Sequence, residues 1–241
     1  MAGFGYQWHR LLISRKKSIM INNMADYLET HEPEIKSYIK RPKTYYQGIT
    51  LVGKYTYADY LTWPNDERYE LLDGVPYMMS SPNEWHQWVI KYIHRQLEDQ
   101  LEDQPCETYM APLDVRLFHD AHDDNEEKDQ SDTTVVQPDI FIVCDESKIK
   151  GLNYCKGPPN LIIEVVSPST EHIDSGKKRS LYEKAGVPEY WIITHDKLRV
   201  YCLKKGSYME ETFWLKDSDL IELKSFRNIR INFSGILQRY P

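Results

Sequence analysis

The residues of this sequence best placed to do chemistry are two acids embedded in apolar segments. Glu164 interrupts the aliphatic run LIIEVV, and Asp139 follows Pro138 and opens the run DIFIV. Successive side chains of a strand point to opposite faces, and both faces around Glu164 are apolar, which is typical of a strand covered on both sides. A carboxylate buried there without a partner would cost several kcal/mol. Glu164 therefore requires a nearby cation, either a side chain or a metal.

A lysine is available on the helix predicted for residues 174–185. Lys178 lies on its inward apolar face, because Leu181 and Tyr182 follow it at i+3 and i+4, and Asp174 lies one turn earlier on the same side. Oxygen ligands from acidic side chains suit Mg²⁺, which bridges to the phosphate oxygens of a substrate. Two strand carboxylates and an inward lysine therefore indicate a divalent metal and a phosphate. The lysine would position a water nucleophile or stabilise developing charge.

A metal-free interpretation of the same residues stays open. Glu164 and Lys178 could form a buried ion pair with a structural role. Asp139 alone could be a turn residue at the entrance of a strand. Tyr182 and Trp191 are predicted to be core residues and not substrate contacts.

The elements that position these residues can be predicted from turn dipeptides and apolar periodicity. Two short apolar runs flank Asp73-Gly74, a strong hairpin signal, and a helix capped by Ser81 follows them. The segments TYMAPLDVRLF and TTVVQPDIFIVC predict two strands of one hairpin. Strands at 161–166 and 190–194, joined by the helix above, predict a βαβ unit, so the domain is α/β with a mixed sheet.

Two segments are predicted to lie outside the packed core. Residues 1–45 are polar with scattered apolar positions and predict an N-terminal extension, which leaves residues 46–241 as the globular domain. The acidic segment HDAHDDNEEKDQSD predicts a solvated loop. It does not predict a calcium site, because its spacing lacks the glycine and the terminal glutamate of an EF-hand.

Composition sets limits on the class of protein. The chain has 241 residues, of which 41% are hydrophobic and 28% charged, as expected of a soluble protein with one sizeable core. A net charge of −7 gives no global positive field for nucleic acid, although a local basic groove stays compatible with it. No secretory signal and no apolar run of about 18 residues is present, so no membrane partner is expected. The spacing of Cys106, Cys144, Cys155 and Cys202 matches no zinc or CxxC motif, which predicts reduced thiols in a cytoplasmic protein.

Taken in order, these motifs resemble the PD-(D/E)XK nuclease superfamily. Pro138-Asp139 followed by IIEVV has its P-D…E pattern. The succession QPDIFIVCDESK, GPPNLIIEVVSPST and LYEKAGVPEYWII closely resembles the Uma-two family of restriction-endonuclease-like proteins. YTYADYL, YELLDGVPYMMSSPNEWHQ and APLDVRL resemble the N-terminal half of that family. The resemblance covers roughly residues 55–205.

The resemblance implies a fold, a cofactor and a set of site residues. The fold would be a restriction-endonuclease-like α/β core with a central mixed β-sheet flanked by helices, and the activity that of a Mg²⁺- or Mn²⁺-dependent endonuclease. Asp139 and Glu164 match the metal-binding acids, and the backbone carbonyl of Val165 matches a further ligand position. Glu70 matches an additional acid near the site, and His86 matches a histidine at the start of a helix.

One position departs from the superfamily pattern. The E-x-K motif would place a lysine at position 166, where this sequence has Val166, and Lys178 in the following helix fits the missing lysine. The resemblance further implies a nucleic-acid partner, DNA before RNA, and a homodimer.

Two other function classes stay open: a catalytically silent domain that binds nucleic acid or protein, and a phosphodiesterase acting on a substrate other than DNA. Structural roles also stay open for Glu70, at a hairpin, and for His86, in the first turn of a helix.

Overall fold

The strands of the protein fall into two large sheets and one small hairpin. The computed structural model describes residues 54–63, 67–119, 131–167, 170–217 and 219–240. Within them the strands are β1 (Tyr69–Leu72), β2 (Val75–Met78), β3 (Glu107–Met110), β4 (Asp114–Arg116), β5 (Val135–Val136), β6 (Ile140–Val143), β7 (Tyr154–Lys156), β8 (Leu161–Val165), β9 (Glu189–Ile193), β10 (Lys197–Lys204), β11 (Ser207–Trp214), β12 (Leu220–Glu222) and β13 (Arg230–Asn232). The sheet orders are β2-β1-β5-β4-β7, β11-β10-β9-β8-β6-β3 and β12-β13.

The helices lie between and after these strands. They are α1 (Tyr57–Tyr60), α2 (Glu84–Leu101), a π-helical segment (Ile173–Lys178) continued by α3 (Arg179–Ala185), and α4 (Ser234–Arg239), with short 3₁₀ segments at Glu146–Lys148 and Leu215–Asp217. No helix in the described part of the chain is long and apolar enough to cross a membrane. The predicted extension 1–45 and residues 120–130 of the acidic segment lie outside the described residues.

The predicted hairpin at Asp73-Gly74 is confirmed. β1 and β2 pair antiparallel, and Asp73 and Gly74 have φ angles of 52° and 78°. A two-residue hairpin turn of this kind needs positive φ at both central positions, which explains the choice of residues. The register places Glu70 opposite Tyr77, so both side chains lie on one face of the hairpin.

Helix α2 begins later than the sequence predicted. The side chain of Asn83 accepts a hydrogen bond of 2.9 Å from the backbone N–H of His86, so Asn83 is the capping residue and the prediction of Ser81 is wrong. Ser81 lies too far before the first helical residue to reach an unpaired N–H of the first turn. This start places His86 in the first turn, and Trp85, Val89 and Ile93 face the core.

The predicted hairpin around the acidic segment is divided between the two large sheets. Its outer part pairs β3 with β6 in the six-stranded sheet, whereas its inner part pairs β4 with β5 in the five-stranded sheet. Pro112 and Pro138 lie at the two crossing points, and a proline has no N–H to continue a ladder. The predicted mixed α/β fold is confirmed, and its two large sheets are both mixed, because β4 pairs in parallel with β7 and β8 in parallel with β9.

The predicted βαβ unit is confirmed. β8 and β9 pair in parallel, with Glu164 opposite Ile192, and the crossover between them ends at Gly186, whose φ of 84° is left-handed. The π-helical turn at the start of the crossover was not predicted. Leu161, Ile163 and Val165 lie in one apolar cluster and Ile162 and Val166 in another, so both faces of β8 are covered as the sequence indicated.

The prediction of reduced thiols is wrong for one pair. Cys106 and Cys144 form a disulfide, because they directly adjoin Glu107 and Val143, which face each other across the β3–β6 ladder. Because the two cysteines lie 38 residues apart in the sequence, their spacing alone did not predict the pairing. Cys155 and Cys202 are free.

Candidate active site

Lys178 is the centre of a buried group of carboxylates. Its Nζ lies 2.9 Å from Oε2 of Glu70, 3.0 Å from Oε1 of Glu164 and 3.3 Å from Oδ1 of Asp174. The side chains of all four residues are at most 8% exposed. Three carboxylates thus surround the Lys178 ammonium within ion-pair distance, and the contact with Glu164 is also a hydrogen bond. The helix periodicity that placed Lys178 inward, beside Asp174, is confirmed.

Three separate elements bring these side chains together. Glu70 comes from β1 in the five-stranded sheet, Glu164 from β8 in the six-stranded sheet, and Asp174 and Lys178 from the π-helical segment that follows β8. Glu70 is held at its second oxygen too, since Oε1 accepts a hydrogen bond of 2.9 Å from the backbone N–H of Gln137. The resemblance that assigned Glu70 to the neighbourhood of the site therefore agrees with its position.

The two carboxylate oxygens of Glu164 face different partners. Oε1 accepts hydrogen bonds from Lys178 and from the hydroxyl of Tyr182, the latter at 2.9 Å. Oε2 points the other way and lies 3.5 Å from the backbone nitrogen of Asp139. Tyr182 is a core residue, as predicted, but its bond to Glu164 was missed. Its place one turn after Lys178 on the inward face was the available signal.

Asp139 lies beside Glu164 across the β6–β8 ladder. Ile140 pairs with Ile163, so the next positions, Asp139 and Glu164, share one face of the sheet. Oδ2 of Asp139 accepts a hydrogen bond of 2.8 Å from the backbone N–H of Val165. Each acid thus touches the strand that carries the other.

His86 contacts the same carboxylate. Its Nε2 lies 3.0 Å from Oδ2 of Asp139, so this nitrogen carries the proton of the shared hydrogen bond. Its Nδ1 is buried and has no hydrogen-bond partner within the described ranges. In the neutral imidazole this second nitrogen is a proton acceptor, and here it has nothing to accept.

Burial and crowding of charge shift the ionisation of the group. Burial raises the pKa of Glu164 well above its usual value, and the carboxylates of Asp139, Asp174 and Glu70 raise it further against the effect of Lys178. Burial also raises the pKa of Asp174. For Lys178, burial lowers the pKa, but Glu164 and Glu70 raise it by more, and the net shift is upward. The group therefore has an excess of acids over its single lysine and favours the uptake of a proton or of another cation.

The carboxylates of Asp139 and Glu164 suit the binding of Mg²⁺. Mg²⁺ prefers carboxylate oxygens and is commonly held by one or two carboxylates together with waters and substrate phosphates. Asp139 and Glu164 supply two such carboxylates side by side. Over the part of the chain that the structure describes, no group of three or more His, Cys, Asp and Glu side chains is arranged to hold an ion. Two neighbouring carboxylates are the number of protein ligands that a Mg²⁺ site completed by waters and substrate phosphates uses.

Three comparisons relate this chain to known proteins. Residues 57–234 match the model of the Uma2 family, described as "Putative restriction endonuclease". The uncharacterized protein slr1290 of Synechocystis is 26% identical over 174 residues, which cover 69% of this chain and 83% of that protein. A crystal structure of "a putative nuclease belonging to DUF820" from Anabaena variabilis superposes with a TM-score of 0.61 over 77% of this chain and 99% of that one. Its sequence identity is 15%, so this likeness shows a shared fold.

Proposed function

Because this chain belongs to the Uma2 family of restriction-endonuclease-like proteins, we propose that it is a metal-dependent endonuclease that hydrolyses phosphodiester bonds of nucleic acid, DNA in the first instance. The observation that carries the proposal is the pairing of Asp139 with Glu164 across adjacent strands, beside a buried lysine. A purely structural ion pair needs one acid for one lysine. The additional acids are explained by a reaction that requires bound positive charge.

Asp139, Glu164 and the backbone carbonyl of Val165 would hold Mg²⁺ or Mn²⁺. The metal, when bound, polarises a phosphoryl oxygen and lowers the pKa of a coordinated water. The protein itself would hold the two acids side by side, and the hydrogen bond from the Val165 N–H to Asp139 supports this position. Oε2 of Glu164 is the oxygen directed toward Asp139, whereas its Oε1 is held by Lys178 and Tyr182.

Lys178 is assigned to charge stabilisation. Glu70, Glu164 and Asp174 surround its Nζ at 3.3 Å or less, so a water nucleophile could approach the ammonium only if one of these contacts opened. Its positive charge nevertheless acts on charge that develops on a nearby phosphate, and it acts strongly because the surroundings are buried. Glu70 and Asp174 would keep the ammonium in place.

His86 is assigned to proton transfer. Its Nε2 hydrogen bond fixes the ring against Asp139, and this leaves Nδ1 as an acceptor without a competing partner among the described residues. The transfer is assigned to the Nε2–H of His86, the donor that faces Asp139 at the candidate metal site, because Nδ1 is buried away from any reacting water.

Two further expectations stay predictions. The cysteine pattern predicts a cytoplasmic location, and the resemblance implies a homodimer, which light scattering of the purified protein would measure.

Incubation of the purified protein with DNA and RNA in Mn²⁺ or Mg²⁺ tests the proposal. We expect wild-type protein to convert supercoiled or linear substrate to shorter products, and Asp139→Ala to convert none. A preparation of Asp139→Ala that gives the same products at the same rate would show that the cleavage belongs to a contaminant. Absence of metal-dependent cleavage by the wild type on either nucleic acid would contradict the nuclease assignment.

A further inference from the structure

Arg68 occupies a special position beside the candidate site. It directly precedes β1, and its backbone carbonyl accepts a hydrogen bond of 2.8 Å from Met79, so the β1–β2 ladder continues through it. Arg68 lies two residues before Glu70, and side chains two apart along a strand share one face. Its side chain therefore emerges on the face from which Glu70 reaches Lys178.

The guanidinium of Arg68 is held by a neutral partner. Its Nε and Nη2 donate to Oε1 of Gln137 at 3.0 and 2.7 Å. Among the described residues no carboxylate lies within ion-pair distance of Arg68, although its charge lowers the pKa of nearby Asp114 against the effect of burial. Arginine is the side chain best suited to ion pairs with planar anions, because its guanidinium is always charged and only weakly hydrated. Arg68 is half-buried and keeps its positive charge. Its Nη1 forms no hydrogen bond with a described residue and is not sealed away from solvent.

Gln137 fixes the orientation of this guanidinium. Its Nε2 donates to Oδ1 of Asp114 at 2.8 Å and to the hydroxyl of Tyr60 at 3.0 Å, so its Oε1 must face Arg68. All the hydrogen-bonding capacity of the Gln137 amide is thus used, and a fully satisfied network of this kind is rigid. The backbone N–H of the same residue binds Glu70, which connects Arg68 to the lysine–carboxylate group through a single residue.

We propose that Arg68 is a substrate-binding residue whose guanidinium, oriented by Gln137, binds a phosphate of the nucleic-acid backbone beside the phosphate that is cleaved. The proposal rests on the proposed function for the identity of the ligand. An anionic strand approaching this site meets an excess of carboxylates, so a cation outside the lysine group is needed to hold it. A planar guanidinium with unused N–H groups matches the geometry of phosphate oxygens.

Binding of a short fluorescein-labelled oligonucleotide, as single-stranded DNA and as RNA, tests this inference without any catalytic step. Fluorescence anisotropy in EDTA gives the dissociation constant at a series of salt concentrations. We expect Arg68→Met to weaken binding about tenfold and to reduce the slope of log K against log salt by about 0.7, the value of one phosphate contact to a single strand. Arg68→Lys should retain the wild-type slope, because it keeps the charge.

Arg95→Met is the matched control. Arg95 is exposed on α2, nine residues after His86 and so roughly 13 Å along the helix, and its loss should change neither affinity nor slope. If Arg68→Met lowers only thermal stability and binds with the wild-type slope, Arg68 merely supports Gln137 and the inference is wrong. It is equally wrong if the wild-type protein binds neither oligonucleotide at low salt.

The two proposals can fail separately. A wild-type protein that cleaves nothing, but whose salt slope depends on the charge at position 68, retains the phosphate contact and loses the nuclease assignment. A protein that cleaves, but whose binding is unaffected by Arg68→Met, retains the nuclease assignment and loses the phosphate contact.

Discussion

Oε2 of Glu70 lies 2.9 Å from Nζ of Lys178, although the two residues belong to different sheets or to the segment that follows one of them. Glu70 is on β1 of the five-stranded sheet, and Lys178 ends the π-helical segment that follows β8 of the six-stranded sheet. This ion pair, buried at both ends, therefore joins the two sheets at the candidate site.

Replacing Lys178 by methionine should abolish cleavage and destabilise the metal-free protein by about 3 kcal/mol or more, because it leaves buried carboxylates without their cation. Urea denaturation in EDTA measures the loss of stability. Lys177→Met is the control, since Nζ of Lys177 lies half-buried over the ring of Tyr77, at 5.3 Å from its centroid, and this contact contributes about 1 kcal/mol or less. A Lys178→Met protein with wild-type stability or cleavage would contradict the central role of this lysine.

Divalent metal should stabilise the folded protein through Glu164. Mg²⁺ or Mn²⁺ at a hundred times its dissociation constant should add about 2.7 kcal/mol, because it binds the folded state preferentially. Differential scanning fluorimetry with and without metal measures the shift. Glu164→Gln should remove the shift, whereas Glu102→Gln, at the exposed end of α2, should retain it. A metal response that survives Glu164→Gln would place the ion elsewhere.

The metal-free protein should lose stability as the pH rises from mildly acidic values. Burial raises the pKa of Glu164 well above its usual 4.5. At a pH between 4.5 and the raised pKa, the folded state therefore keeps a proton that the unfolded chain has released. The free energy of unfolding must fall with increasing pH across that window, and it is largest below the usual pKa. Urea titrations in EDTA at stepped pH measure the slope, and Glu164→Gln should flatten it. A wild-type stability that increases with pH over this window would refute the expected shift.

Replacing His86 by alanine should lower kcat about a hundredfold or more while leaving oligonucleotide affinity in EDTA unchanged, because the imidazole is assigned to proton transfer and not to binding. His94→Gln on the same helix is the control. His94 is paired with Glu98 at 3.3 Å, away from Asp139, and its replacement should leave kcat unchanged. If His86→Ala instead weakens binding and leaves kcat intact, the proton-transfer role is wrong.

The local part of this site could be predicted from the sequence. The burial of β8 and the inward position of Lys178 follow from periodicities of two and of about 3.6 residues, which are properties of single elements. The neighbourhood of Asp139 and Glu164 was predicted from the types of the residues and supported by the resemblance, because nothing in either strand alone specifies its partner.

What the sequence did not show depends on contacts between elements. Glu70 meets Lys178 only because two sheets pack together, and the role proposed for Arg68 depends on its hydrogen bonds to Gln137, which lies far along the chain. The disulfide of Cys106 and Cys144 likewise depends on the β3–β6 register. The pattern within one element does not specify which distant element it pairs with or packs against.

The division of the site between the two sheets has a consequence during synthesis of the chain. Glu70, Asp139 and Glu164 leave the ribosome before Lys178, so for a time the acids exist without their lysine. Contacts between residues so distant along the chain are also entropically costly to close and form late in folding. A nascent chain or a truncated fragment therefore contains no assembled lysine–carboxylate group, and any activity would begin only when translation and folding of the whole domain are finished.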